Sequence, residues 1–188
     1  PLAAVRRQPI LIPMLVVVLA VVAIAWQANA SPSAPSSIVT IDPVRIVDTR
    51  DRSQVGLAGP IVNGTSQKVQ VTGRIPTEDG PATVVPAGAT GVLLNVTVTE
   101  SNGSGFFSVR PGTATGTAGT SSLNFTTGQT IANAVTVALP TTGAQAGRID
   151  LQHGGPIGGS TTEVILDVVG YVAANSASSG VQLVSAEQ

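Results

Sequence analysis

From residue 38 to residue 173 the apolar side chains recur at every second position, and no stretch sustains the i, i+3, i+4, i+7 spacing of an amphipathic helix. That periodicity asks for strands whose alternate side chains line a core. The clearest window is residues 91–99, where Val92, Leu94, Val96 and Val98 share the face expected to belong to a core, and Leu93, Asn95, Thr97 and Thr99 share the other. Residues 162–172 alternate Val164, Leu166 and Val168 with Ile165, Asp167 and Val169. Both of those faces are mostly apolar, so this strand is expected to be central and covered twice. Residues 131–139 place Ile131, Val135, Val137 and Leu139 on a packed side and Ala132, Ala134, Thr136 and Ala138 on a side open to close approach. Shorter strands are expected at 44–47, 68–71, 105–110, 122–125 and 148–152. Asn63-Gly64, Asn102-Gly103 and Thr127-Gly128 supply turns, and Pro76, Pro81, Pro86 and Pro111 interrupt ladders. Many short strands at this spacing predict an all-β fold, a single β-sandwich or jelly-roll-like domain over residues 38–173.

The N-terminal segment follows a different pattern. Arg6 and Arg7 precede an apolar run at 10–26, which ends in Ala28-Asn29-Ala30. A positive start, a hydrophobic stretch and an A-x-A end predict a helical Sec-type signal peptide over residues 1–30, cut between Ala30 and Ser31. Small residues at Ala28 and Ala30 suit the narrow pockets of a signal peptidase. The competing reading keeps residues 10–26 as a membrane anchor, since the run approaches the span of a bilayer. Residues 31–37 read S-P-S-A-P-S-S, a Pro/Ser linker, and residues 174–188 read as a flexible tail.

Composition narrows the activities. Only 10% of residues are charged and the net charge is −1, so the basic surface that nucleic acid requires is missing. Cysteine is absent, which removes thiolate zinc sites, iron–sulfur clusters, thiol nucleophiles and disulfides. Beyond the signal peptide the aromatics are Phe106, Phe107, Phe125 and Tyr171, a thin platform for stacking sugars.

Several motifs occur in a fixed order. Pro43 to Arg50 reads P-V-R-I-V-D-T-R, and residues 86–99 carry P-A-G-A followed by V-L-L-N-V-T-V-T. Ser122-Leu123-Asn124-Phe125 precedes G-Q-T-I-A-N at 128–133, and residues 164–171 read V-I-L-D-V-V-G-Y. Together they resemble a β-rich domain of secreted and cell-surface bacterial proteins, particularly of high-GC Gram-positive lineages, where it stands alone, in tandem, or beside hydrolases and peptidases. The resemblance covers about residues 41–172. It implies an extracellular location and an accessory or surface role, and it carries over no site residues.

The polar landmarks have a structural reading first. Asp48 and Arg50, two apart on an extended chain, share a face and can pair. Asn124, Asn133 and Asp167 stand inside apolar strand patterns, where an amide or carboxylate must find partners; Arg45, Arg50 or backbone N–H groups are those expected for Asp167. Asp48, Arg50, Asn124, Asn133 and Asp167 are therefore expected to form a polar network that fixes loops and register. No cofactor is required by the sequence. Ca²⁺ is the one alternative, with Asp48 and Asp167 as weak candidate ligands, because no contiguous D-x-D-x-D loop is present.

Catalysis has less support. His153 precedes Gly154-Gly155 and reads as a loop residue before a hairpin over 154–159, and no G-x-S-x-G elbow accompanies it. A carboxylate pair for glycoside cleavage can be drawn from Asp48, Glu100, Asp150, Glu163 or Asp167, but sequence position supplies no geometry. Leu139 to Gly143 spells L-P-T-T-G, a sortase motif lacking the hydrophobic segment and basic tail that follow it in substrates; it reads as a turn. The expectation is a non-catalytic, secreted or cell-surface structural and binding module. Its partners would be cell-wall polymer, polysaccharide or another surface protein, with self-association through edge strands open, no nucleic acid, and membrane contact only through residues 10–26 before cleavage. The alternatives are a secreted glycoside-type hydrolase and a membrane-anchored surface protein.

Overall fold

The alternation in the sequence is realised as eleven strands and, among the described residues, no helix, in a computed structural model that describes residues 36–174. The expected signal peptide with Ala28, Ala30 and Ser31, linker residues 31–35 and tail residues 175–188 lie outside those residues. The chain divides into Pro1–Ser33 and Ala34–Gln188, and every described strand belongs to the second unit.

The strands are β1 (Ser36–Asp48), β2 (Ile61–Val62), β3 (Ser66–Gln70), β4 (Arg74–Ile75), β5 (Ala82–Thr83), β6 (Gly91–Thr99), β7 (Gly105–Pro111), β8 (Leu123–Phe125), β9 (Ile131–Ala138), β10 (Arg148–Gly154) and β11 (Thr161–Ala174). One antiparallel sheet runs β1-β11-β6-β9, with β2 also on β11; a second runs β3-β10-β7-β8; β4 and β5 form a two-stranded ribbon. Alternation places Val92, Leu94, Val96 and Val98 of β6 inward, each no more than 1% exposed. Val164, Leu166 and Val168 of β11 join them, and Val109, Ile149, Leu151 and Phe107 face them from the second sheet in one apolar cluster. Small branched side chains fill it, consistent with the scarcity of aromatics.

Three sequence expectations change. β11 is central, but only one face is fully covered: Asp167 and Val169 remain half-buried because a cross-strand ion pair, not a second apolar layer, lies on that side. The segment after β10 is not a hairpin. β10 pairs with β3 and β7 whereas β11 pairs with β1, β2 and β6, so residues 155–160 carry the chain from one sheet to the other. β9 ends its sheet, which leaves Ala132, Ala134, Thr136 and Ala138 exposed. Ser36 and Ser37, read as linker, begin β1 and pair with Ala174 and Ala173.

Candidate functional site

The D-T-R segment builds the site. β1 stops at Asp48 because its last rung is a bridge to Val55, closed by Asp48 N–H to Val55 O at 3.0 Å and Val55 N–H to Asp48 O at 2.9 Å. Gly56 follows at φ +73°, and a Cβ there would lie 2.5 Å from the Ile46 carbonyl, so only glycine lets the loop close this tightly. Inside the loop the fully buried Asp48 carboxylate accepts from Arg50 Nε at 2.9 Å, Arg50 Nη2 at 2.7 Å, the Arg50 N–H at 3.2 Å and Ser53 Oγ at 2.8 Å. Burial alone would raise this carboxyl; the bonds from Arg50 and Ser53 outweigh it and hold it below its ordinary value.

Thr49, also fully buried, donates its hydroxyl to Glu163 Oε2 and accepts from the Val164 N–H at 2.8 Å. Glu163 stands opposite Thr99 in the β11–β6 ladder, which brings the next residue, Glu100, to the same end of the sheet. Glu100 adopts φ +50°, a left-handed conformation that costs a residue with a Cβ. An open cavity of about 540 Å³ lies here, lined by Arg50, Asp51, Arg52, Ser53, Glu100 and Glu163. Burial raises the Glu163 carboxyl; the Thr49 bond opposes this, and the charges of Glu100, Asp51 and Asp48 add to the rise. The side chains of Asp51, Arg52 and Glu100 engage no hydrogen-bond or ion-pair partner among the described residues. The result is a mixed-charge rim over a rigid floor, with one carboxyl that holds its proton more tightly than usual.

The predicted network is only partly one network. Asp48 and Arg50 meet directly, and Asp167 joins them through Arg45, whose Nε lies 3.0 Å from Asp167 Oδ1 and whose Nη1 lies 3.6 Å from Asp48 Oδ2 and 3.9 Å from Glu78 Oε2. Both candidate calcium ligands thus face a guanidinium, and among the described residues no group of three or more His, Asp or Glu is arranged to hold a metal. Asn124 and Asn133 stand apart, and the expectation of buried amides is corrected. Leu123 and Phe125 take the inward positions of β8 and turn Asn124 out to solvent. Asn133 is exposed on edge strand β9, where its Nδ2 donates to Ser122 O at 2.6 Å.

His153 is likewise not a loop residue: it ends the inward row Ile149, Leu151, His153 of β10 and is fully buried. The two glycines after it masked that period-two signal. A second cluster was missed altogether. Asp150, fully buried, pairs in register with Lys68 of β3 and Arg110 of β7, with Lys68 Nζ 2.9 Å from Oδ1 and Arg110 Nη2 2.6 Å from Oδ2. The same cations hold the 112–120 connection, through Lys68 Nζ to Ala114 O at 2.6 Å and Arg110 Nη2 to Gly116 O at 3.0 Å. Lys68, Arg110 and Asp150 each stand in a short expected strand, at 68–71, 105–110 and 148–152, but the register that joins them is not written in any one of those segments.

No protein-family model, curated protein or solved structure matches this chain.

Proposed function

We propose that the chain is an exported, non-catalytic structural and binding module of the cell surface or extracellular space, a β-sandwich whose D-T-R end contacts cell-wall polymer or polysaccharide. The observation that carries the reading is the cavity of about 540 Å³ whose floor is locked by the Asp48–Arg50 pair while the side chains of Asp51, Arg52 and Glu100 at its rim make no hydrogen bond or ion pair among the described residues. Such a rim offers donors and acceptors of both charges, matched to a polymer bearing hydroxyl, amine and carboxyl groups. The A-x-A signal at Ala28 and Ala30 and the resemblance to bacterial surface domains support export by the Sec route. Another surface protein or a second copy is the alternative partner, through the open edge of β9. The reading needs no cofactor.

The test is a pull-down of the full chain on isolated bacterial cell wall and a panel of insoluble polysaccharides, with calcium or with chelator. Retention on one matrix, weakened several-fold by Arg52→Ala, supports the module. Retention lost in chelator moves Asp48 and Asp167 toward calcium ligation. Retention on no matrix overturns the polymer reading.

One observation favours a second reading, a secreted hydrolase of the glycoside type: Glu163, with its raised proton affinity, shares the cavity with Glu100, and a proton-holding acid beside a second carboxylate is the pair that glycoside cleavage uses. Release of reducing sugar from the same matrices, abolished in Glu163→Gln, would replace the first reading with this one. The membrane-anchor alternative turns on residues 10–26 and is tested by N-terminal sequencing of the exported chain, where a start at Ser31 removes it.

A further inference from the structure

The outer face of the four-stranded sheet carries a row that crosses three strands. Gly154 of β10 stands opposite Phe106 of β7, and Phe106 stands opposite Asn124 of β8. Alternation turns all three away from the core, because His153, Phe107, Leu123 and Phe125 take the inward places beside them. Phe107 and Phe125 are buried, which leaves Phe106 as the one phenylalanine of the chain still partly open. Its ring reaches over Gly154, where any Cβ would strike Cζ, so glycine is what lets the ring lie across the neighbouring strand.

Cavities open on both sides of this ring. One, of about 420 Å³, extends from Phe106 over Gly154 to the Asn63-Gly64 turn; the other, of about 230 Å³, extends from Phe106 to Asn124. The 117–121 segment walls both, with Thr117 in the first and residues 118–121 in the second. That wall is held in place: the Ala118 N–H donates to Gln152 Oε1 at 2.5 Å, Arg110 Nη2 donates to Gly116 O at 3.0 Å, and Ser108 Oγ donates to Thr120 O. The two cavities form one preformed groove with an aromatic ring at its middle. Neighbouring strands lie about 4.8 Å apart, so the floor from Gly154 to Asn124 runs roughly 10 Å, room for two linked sugar rings.

The lining is uncharged. Neither cavity is lined by a carboxylate, an ammonium or a guanidinium, and the cations of the same face, Lys68 and Arg110, are neutralised by Asp150. What the groove offers is hydroxyl and amide: Thr117, Thr120, Ser121 and Asn124 are exposed, and their side chains make no hydrogen bond among the described residues. A carboxamide presents a donor and an acceptor side by side, spaced for two adjacent hydroxyls. A pyranose carries that pair of hydroxyls on its rim and a face of C–H groups that suits an aromatic ring. An anionic polymer would find no counter-charge here, and a peptide strand would meet β7 and β10, each already paired on both sides.

We propose that this groove is a binding site for a neutral pyranose chain, with one ring stacked on Phe106 and the hydroxyls of the next ring on the Asn124 amide. The proposal rests on the polysaccharide reading for its class of ligand and places the contact on residues separate from the D-T-R cavity.

The test is calorimetry of the full chain with cellohexaose, maltohexaose and mannohexaose, and with hexagalacturonate as a charged chain of equal length. At least one neutral chain is expected to bind saturably, and the galacturonate is expected not to bind. Phe106→Leu should abolish the neutral chain's binding and Phe106→Tyr should keep it. Asn124→Ala should weaken it by roughly two- to ten-fold per hydrogen bond lost. Arg52→Ala, at the other cavity, should leave it unchanged. Silence from every neutral chain, undiminished affinity in Phe106→Leu or Asn124→Ala, or galacturonate binding as tightly as the neutral chains overturns the proposal. Asn124 is exposed and unbonded, so its variant tests the site even if Phe106→Leu does not fold. Matrix retention that falls in Arg52→Ala and not in Phe106→Leu keeps the D-T-R contact and removes the groove; the reverse keeps the groove and removes the D-T-R contact.

Discussion

Thr49 and Glu163 are 114 positions apart in sequence, yet one hydroxyl joins them: it donates to the Glu163 carboxylate while its oxygen accepts from the Val164 N–H at 2.8 Å. The middle residue of the D-T-R segment is thus the tie between the loop after β1 and the start of β11. Thr49→Val keeps the shape and removes both bonds, leaving a buried N–H without a partner. The expected loss is about 1–3 kcal/mol of stability, read from urea unfolding. A loss below a few tenths would show that the Val164 N–H finds another acceptor.

Glu163→Gln is expected to act in the opposite direction. The wild-type carboxyl has a folded value raised above the ordinary 4.5, by burial and by Glu100, Asp51 and Asp48. The folded chain therefore binds more protons than the unfolded one across that window, and stability falls as pH rises through it. Glutamine keeps an oxygen for Thr49 and carries no charge. Urea midpoints should be close below about pH 4.5, and the variant should become the more stable as pH rises toward neutrality. A gap that does not widen with pH would mean that Glu163 ionises without cost.

The strands were legible because side-chain alternation is a local property: Val92, Leu94, Val96 and Val98 announce β6 whatever they pair with. The D-T-R landmark was legible for the same reason, since Asp48 and Arg50 are near neighbours. The cavity above them was not. It needs Glu163 placed opposite Thr99 by a ladder 64 residues long in sequence separation, and nothing local to Glu100 or Glu163 encodes that register. Asn124 and Asn133 were misjudged because an apolar neighbourhood in sequence does not distinguish an edge strand from a central one. Asp150 was legible only in retrospect, once Lys68 and Arg110 stood on either side of it.

His153 should govern the acid side of the stability curve. Burial lowers its folded value below the ordinary 6.5, so the unfolded chain takes up the proton first and stability falls as pH drops below about 6.5. Glu163 acts in the opposite sense over the neighbouring range, which makes Glu163→Gln the cleaner background. In that background, stability should decline from about pH 6.5 to 5, and His153→Phe added to it should flatten the decline. A decline unchanged by the second substitution would assign it to other groups.

Glu100 combines two separable costs, its left-handed φ of +50° and its charge beside Glu163. Glu100→Asn removes both, because asparagine tolerates that conformation; Glu100→Gln removes the charge and keeps the strain. The asparagine variant is expected to exceed the glutamine variant by about 0.5–1 kcal/mol in urea unfolding, the backbone share. Both should bring the Glu163 carboxyl down toward 4.5 by the same amount, the charge share, read from its ¹³C titration. If the two variants are equally stable, the turn after β6 holds Glu100 without strain. If they are unequal and Glu100→Asn also weakens retention on the wall matrices, the strain is the cost of presenting a carboxylate at the cavity rim, since stability given up at an exposed residue is otherwise hard to account for.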